Sequence, residues 1–155
     1  MSEQQQPVFV VEKVYLKDLS LEIPNAPQVF VDREQPKIDV NLHNEARALD
    51  AGLYEVVLTA TITAKLKDRT AFLVEAAQAG IFQIRNLQQQ DLDAVLGVTC
   101  GNILFPYLRE AVSSVVVRGG FPPFFLNHVS FEALYQQHLL QLQKQQPPSG
   151  APPAH

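Results

Sequence analysis

Apolar and polar residues alternate with a period of two from Tyr54 to Leu66: Tyr54, Val56, Leu58, Ala60, Ile62, Ala64 and Leu66 share one parity, and Glu55, Thr59, Thr61, Thr63 and Lys65 the other. Successive side chains of a strand point to opposite faces, so this pattern predicts one face in a core and one toward water. The same reading holds from Lys37 to His43, with Ile38, Val40 and Leu42 inward and Asp39 and Asn41 outward. Val8 to Leu21 carries apolar residues on both parities, as in a strand buried on two sides or one that contains a bulge. Asp50-Ala51-Gly52 and Lys67-Asp68-Arg69 are polar turns, and Thr70 to Ile84 returns as a fourth strand. Short connections between neighbours imply an antiparallel meander. Pro24-Asn25-Ala26-Pro27 ends the first strand, because proline removes a backbone donor and restricts the residue before it. Residues 23–36 then form a long crossing loop.

The period changes to that of a helix in the second half. Ile103, Leu104, Tyr107, Leu108, Ala111, Val112, Val115 and Val116 recur at steps of three and four and cover more than one narrow face. A helix this apolar is buried on several sides, in a core or against another subunit. Gly97 and Gly101 predict a short helix over Leu87–Cys100, a break near Gly101 and a restart capped by Asn102. Pro106 is tolerated only near a helix start, which favours that restart. Gly119-Gly120 stops the helix, and Ser130 caps a last one carrying Phe131, Leu134, Tyr135, His138, Leu139 and Leu142. Beyond Gln143 the Gln, Pro, Ser and Gly composition supports no core. The expected organisation is a flexible start over 1–7, one domain over 8–143 and a disordered tail over 144–155.

Composition adds exclusions. A chain of 155 residues buries roughly 70% of the surface its unfolded form exposes, enough for one self-sufficient domain. A formal net charge of −4 argues against a nucleic-acid backbone as partner. The start lacks a secretion signal and no stretch has the length of a membrane span, which predicts a cytoplasmic protein without direct membrane insertion. Cys100, the single cysteine, permits no intrachain disulfide and reads as a small buried apolar residue. His43, His128, His138 and His155 lack ligand spacing, and Asp91 and Asp93 point to different sides of a helix. No acid, base, nucleophile, metal or cofactor constellation emerges, and no enzyme is expected.

What stands out instead is apolar surface in loops: Ile23, Val29 and Phe30 in the crossing loop, and Phe121, Phe124, Phe125 and Leu126 before the last helix. Such residues either tuck back over the sheet or form a groove for apolar peptide. Strand parity also matters, because if Phe72, Val74, Ala76, Phe82 and Ile84 face the core then Leu73 and Glu75 project onto the opposite face.

The wording of these segments resembles the SecB family of protein-export chaperones. Asn102 to Tyr107 followed by Arg109-Glu110, and Arg118-Gly119 followed by Phe121-Pro122, are similar to its most distinctive block. Tyr15, Lys17-Asp18, Ser20, Glu22, Pro24 to Pro27 and Val29-Phe30 resemble its first strand and following loop. Tyr54 to Leu58, and Ala71 to Glu75 with Gly80-Ile81-Phe82, resemble its third and fourth strands. The likeness runs from about Val8 to Leu142.

That resemblance implies an α+β fold, a four-stranded antiparallel sheet with helices on one face, assembled as a dimer of dimers. It implies that unfolded secretory precursors are held, without ATP, in apolar grooves built here from Ile23, Val29, Phe30, Leu42, Tyr54, Phe124, Phe125, Leu126, Phe131, Leu134 and Tyr135. It implies docking on the zinc-containing C-terminal segment of SecA through Asp18, Glu22, Leu73 and Glu75, and a tetramer interface of Ile103, Leu104, Tyr107, Leu108, Ala111, Val112 and Val115. Any zinc belongs to SecA. Two positions depart from the family: Glu34 stands where a tryptophan is common, and no carboxylate follows Glu132. A SecB-like chaperone dedicated to one client, such as an antitoxin, is the alternative, and a small-molecule enzyme with an apolar pocket the more distant one.

Overall fold

The computed structural model of the chain describes residues 5–145. Four long strands, β1 (Val8–Glu22), β2 (Lys37–Asp50), β3 (Leu53–Leu66) and β4 (Arg69–Arg85), form one antiparallel sheet in the order β1-β4-β3-β2. β2, β3 and β4 are the expected meander, joined by tight turns. The loop over 23–36 carries the chain across the sheet, so that β1 pairs with β4 and both β1 and β2 are edges.

Two bulges explain the mixed parity of β1. Its pairing with β4 slips between Val11 and Lys13 and again between Leu16 and Asp18, leaving Glu12 and Lys17 as extra residues. Each slip reverses which parity faces the helices. Tyr15 therefore shares the outer face with Asp18, Ser20 and Glu22, and Leu16 shares the inner face with Leu19 and Leu21.

Helices cover only the inner face. Gln89–Ala94 (α1), a π-helical turn at Val95–Thr99 and Cys100–Arg118 (α2) follow one another without a gap. The expected break near Gly101 and the Asn102 cap are thus incorrect: Asn102 lies inside α2 and Pro106 in its interior. Gly97 and Gly101 are one helical turn apart and serve as seats rather than breaks. A Cβ on Gly97 would meet Tyr135 at 2.9 Å, and one on Gly101 would meet Phe131 at 2.7 Å. The wider turn is supported from the sheet, where Asn44 Nδ2 donates to the carbonyls of Leu96 and Gly97 at 3.4 and 3.3 Å. The carbonyl that Pro106 deprives of a donor belongs to Asn102, an exposed residue open to water.

Leu104, Leu108, Val112 and Val116 of α2 pack on Val56, Leu58, Ala60, Ile62, Phe72, Val74, Ala76 and Phe82 of the sheet. The alanines and Gly80, where a Cβ would lie 3.2 Å from Leu104 Cδ2, let the helix come close. α2 ends in a Schellman motif: Gly120 has φ +87, Gly120 N–H donates to the Val117 carbonyl at 3.0 Å, and Phe121 N–H donates to the Val116 carbonyl at 3.3 Å. Ser130 caps α3 (Phe131–Gln145), its Oγ accepting from Ala133 N–H at 3.2 Å. This helix continues two residues past the expected domain end, and the rest of the predicted tail, 146–155, like 1–4 of the predicted flexible start, lies outside the described residues.

The Gly101 seat makes a testable contact. Alanine would favour the helix by about 1 kcal/mol, but overpacking costs about 1–3 kcal/mol. Phe131 is 2% exposed and edge-on to Phe105 at 5.9 Å, so its ring has no free space. Overpacking wins, and Gly101→Ala should loosen α3, raising amide exchange there about tenfold as measured by hydrogen exchange. Unchanged exchange in α3 would show that the seat does not hold it.

Candidate functional site

Three surfaces remain uncovered in the protomer. The first is the outer face of the sheet. Glu22 lies opposite Leu73, Ser20 opposite Glu75 and Asp18 opposite Ala77, so Asp18, Glu22, Leu73 and Glu75 form one patch across β1 and β4. At the strand rise of about 3.3 Å per residue the patch is roughly 13 Å long. Asp18, Glu22 and Glu75 are exposed and Leu73 is half-buried. Among the described residues none of these three carboxylates is in an ion pair.

Beside the patch sits a polar cluster that the sequence reading did not anticipate. Glu55, an outward residue of β3, is only 5% exposed. Its carboxylate accepts from the Tyr15 hydroxyl, from Lys17 Nζ at 3.0 and 3.2 Å and from Arg47 Nε at 3.0 Å. The Tyr15 hydrogen bond, aided by Lys17 and Arg47, holds the Glu55 carboxyl below its ordinary range despite the opposing desolvation. Burial and the adjacent carboxylate push the Tyr15 phenol up to about 12. Glu55 stays ionised and Tyr15 protonated throughout the physiological range. The available signal was the carboxylate near the start of the most regular strand, which alternation alone places on the solvated face.

The second surface lies on the helix side, around the crossing loop. Asn25 Nδ2 donates to the Thr70 carbonyl at 2.9 Å, Lys67 pairs with Glu34 at 3.1 Å and Arg69 with Asp32 at 3.6 Å. Three contacts thus tie the loop to the β3–β4 hairpin, one of them through Glu34. The Schellman turn delivers Phe121 between Phe72 and Phe30, with ring centroids 4.7 and 5.1 Å apart, and Ile23 flanks Gly119 nearby. Phe30 is 48% exposed on top of this stack. Arg109 fixes the following linker, donating from Nε to the Leu126 carbonyl at 3.1 Å with its guanidinium 4.8 Å from the centre of the Phe125 ring.

Within one protomer the residues expected to line a groove separate into groups. Ile23 and Phe30 flank the adjacent Gly119 and Gly120, and Phe125 and Leu134 are exposed farther along the linker and α3. Val29, Leu126 and Phe131 are buried in the protomer's core. Leu42 and Tyr54 are half-buried on the inner face. Leu42 pairs with Ala60, six residues from Tyr54 along β3 and so about 20 Å away. Phe124 is half-buried in the linker, and Tyr135 rests on Gly97.

The third surface is α2. The expected interface residues fall on two adjacent stripes. Leu104, Leu108 and Val112 are fully buried against their own sheet. Ile103, Tyr107, Ala111 and Val115 follow at steps of four on the next stripe and are half-buried or exposed. A shallow apolar depression of about 420 Å³, lined by Leu16, Gln78, Pro106, Tyr107, Glu110 and Ala111, lies between this stripe and the β1 edge.

Burial pushes the Cys100 thiol up to about 12, leaving it un-ionised at neutral pH. Among the described residues no group of three or more His, Cys, Asp or Glu could hold a metal ion, and no helix is long and apolar enough to cross a membrane.

A family model described as preprotein translocase subunit SecB matches residues 2–142. The chain is 58% identical over 150 residues to the protein-export protein SecB of Methylobacillus flagellatus, covering 97% of this chain and 94% of the relative. It is 61% identical over 143 residues to that of Chromobacterium violaceum, covering 91% and 95%. With that of Thiobacillus denitrificans the identity is 55% over 100% of both chains. A solved SecB-like chaperone from Mycobacterium tuberculosis, in complex with an antitoxin peptide, superimposes with a TM-score of 0.65 at 18% identity, covering 78% of this chain and 90% of that one, a likeness of fold. With its sheet, crossing loop and helices matched over nearly their whole length, the chain belongs to the SecB family of protein-export chaperones.

Proposed function

We propose that the protein is an ATP-independent cytoplasmic holdase that binds unfolded secretory precursors and passes them to SecA, acting as a homotetramer and without catalysis. The observation that carries this reading is the division of its open surface. An acidic patch without ion pairs among the described residues occupies the outer sheet face, while aromatic residues led by Phe30 are exposed on the helix side. A charged partner and an apolar client can then bind at once. A holdase needs no fuel, because binding the unfolded state lowers its free concentration and slows folding by mass action. The tetramer would cover the Ile103, Tyr107, Ala111 and Val115 stripe, and grooves running between protomers would join the aromatic groups that one protomer keeps apart.

A stoichiometric amount of the protein, without ATP, should delay refolding of a slow-folding secretory precursor diluted from denaturant. No delay from folded tetramer would overturn the general holdase and favour a dedicated client. Retention of Asp18, Glu22, Leu73 and Glu75 as one surface supports the general export role over that alternative.

A further inference from the structure

We propose that Glu55 is a positioning residue for the acidic docking face, holding the ammonium of Lys17 away from Asp18 so that the patch stays free for a cationic partner. The inference rests on the proposed docking of SecA at that face.

The bulge between Leu16 and Asp18 creates the need for such a device. It reverses the parity of β1 and brings Asp18, Ser20 and Glu22 outward, but it also leaves Lys17 as the inserted residue next to Asp18. A cation is thereby built into the edge of an acidic surface. Left free, Lys17 would pair with Asp18 and compete with any incoming cation.

In the structure Lys17 turns the other way. Its Nζ lies 3.0 and 3.2 Å from the two oxygens of Glu55. Glu55 stands opposite Ile81, four residues along β4 from Ala77, the partner of Asp18, and six from Glu75. Lys17 therefore reaches along the sheet away from the patch. Glu55 is suited to hold it: its side chain is 6% exposed, and Tyr15 and Arg47 fix the carboxylate from either side, so little side-chain freedom is lost in making the pair. Tyr15 precedes the bulge by two residues and Arg47 comes from β2, so one carboxylate ties three strands together at this point.

The test is calorimetric binding of the isolated zinc-loaded C-terminal segment of SecA to the full-length protein at low and high salt. Glu55→Gln keeps the shape and an acceptor for Tyr15 but releases Lys17. It should weaken binding about five- to tenfold at low salt and less at high salt, as expected when the competitor is an exposed charge. Adding Lys17→Met to the same chain should restore the affinity, which a merely structural role for Glu55 would not allow. Wild-type affinity in Glu55→Gln, or weakening that Lys17→Met does not rescue, would overturn the inference. Should Glu55→Gln fail to fold, Lys17→Met alone still decides: it should bind at least as tightly as wild type, and weaker binding would count against the proposal. Glu75→Lys is run alongside, and wild-type affinity there would overturn the docking face itself and the inference with it.

Discussion

Glu75→Lys should abolish binding of SecA while leaving the delay of precursor refolding unchanged. Glu75 is exposed on the outer face, with Ser20 on one side and Thr61 on the other, and the helices lie behind the sheet. The reversal replaces an attraction by a repulsion at the middle of the three-carboxylate patch. Close charge pairs at protein interfaces contribute about 2 kcal/mol or more, so a loss of at least thirtyfold is expected. The protomer has little reason to unfold, because Glu75 makes no ion pair among the described residues and neighbours a hydroxyl on either side. Calorimetry with SecA and a refolding assay with a precursor separate the two activities. Joint loss of both would refute the division of surfaces.

Leu108→Ala and Tyr107→Ser should fail in opposite ways although the residues are adjacent. Leu108 is fully buried between α2 and the sheet, and removing a buried leucine side chain costs about 2–5 kcal/mol. Its variant should lose stability in urea unfolding. Tyr107 is 52% exposed in the protomer and borders the depression beside β1. Its variant should keep the protomer folded but fall to a smaller species in light scattering. Because oligomer stability depends on concentration, both are compared at one protomer concentration. A Tyr107 variant that retains the wild-type mass would remove this stripe from the assembly.

Much of the fold was legible because it follows from periods. The alternation over Tyr54–Leu66 gave the central strand almost to its ends, the two prolines gave the crossing loop, and Ser130 gave the start of α3. Glycine misled at Gly97 and Gly101. A single residue's propensity disfavours helix at both positions, but the energy that decided them comes from Phe131 and Tyr135, thirty or more residues along the chain. The stripe of α2 likewise could not be divided by period alone, since Leu108 and Tyr107 differ only in which of them the sheet reaches.

The acidic patch was legible on β4, where one parity rule places Leu73 and Glu75, and on β1 only through the family resemblance. Local alternation would have set Asp18 on the same face as Leu16, and the bulge at Lys17 is what turns it outward. The Glu55 cluster draws on β1, β2 and β3 at once and has no local signature.

The sequence by itself determined the strands, the helical second half, the crossing loop and the family, because periodicity, proline chemistry and contiguous motifs act within a short window of chain. Only the tertiary structure decided which apolar residues remain open, that the helical rod continues through its glycines, and that Glu55 draws Lys17 away from the acidic patch. Those outcomes depend on which distant side chain arrives to fill a space or satisfy a charge, and that is fixed when the strands pair and the helices close over them.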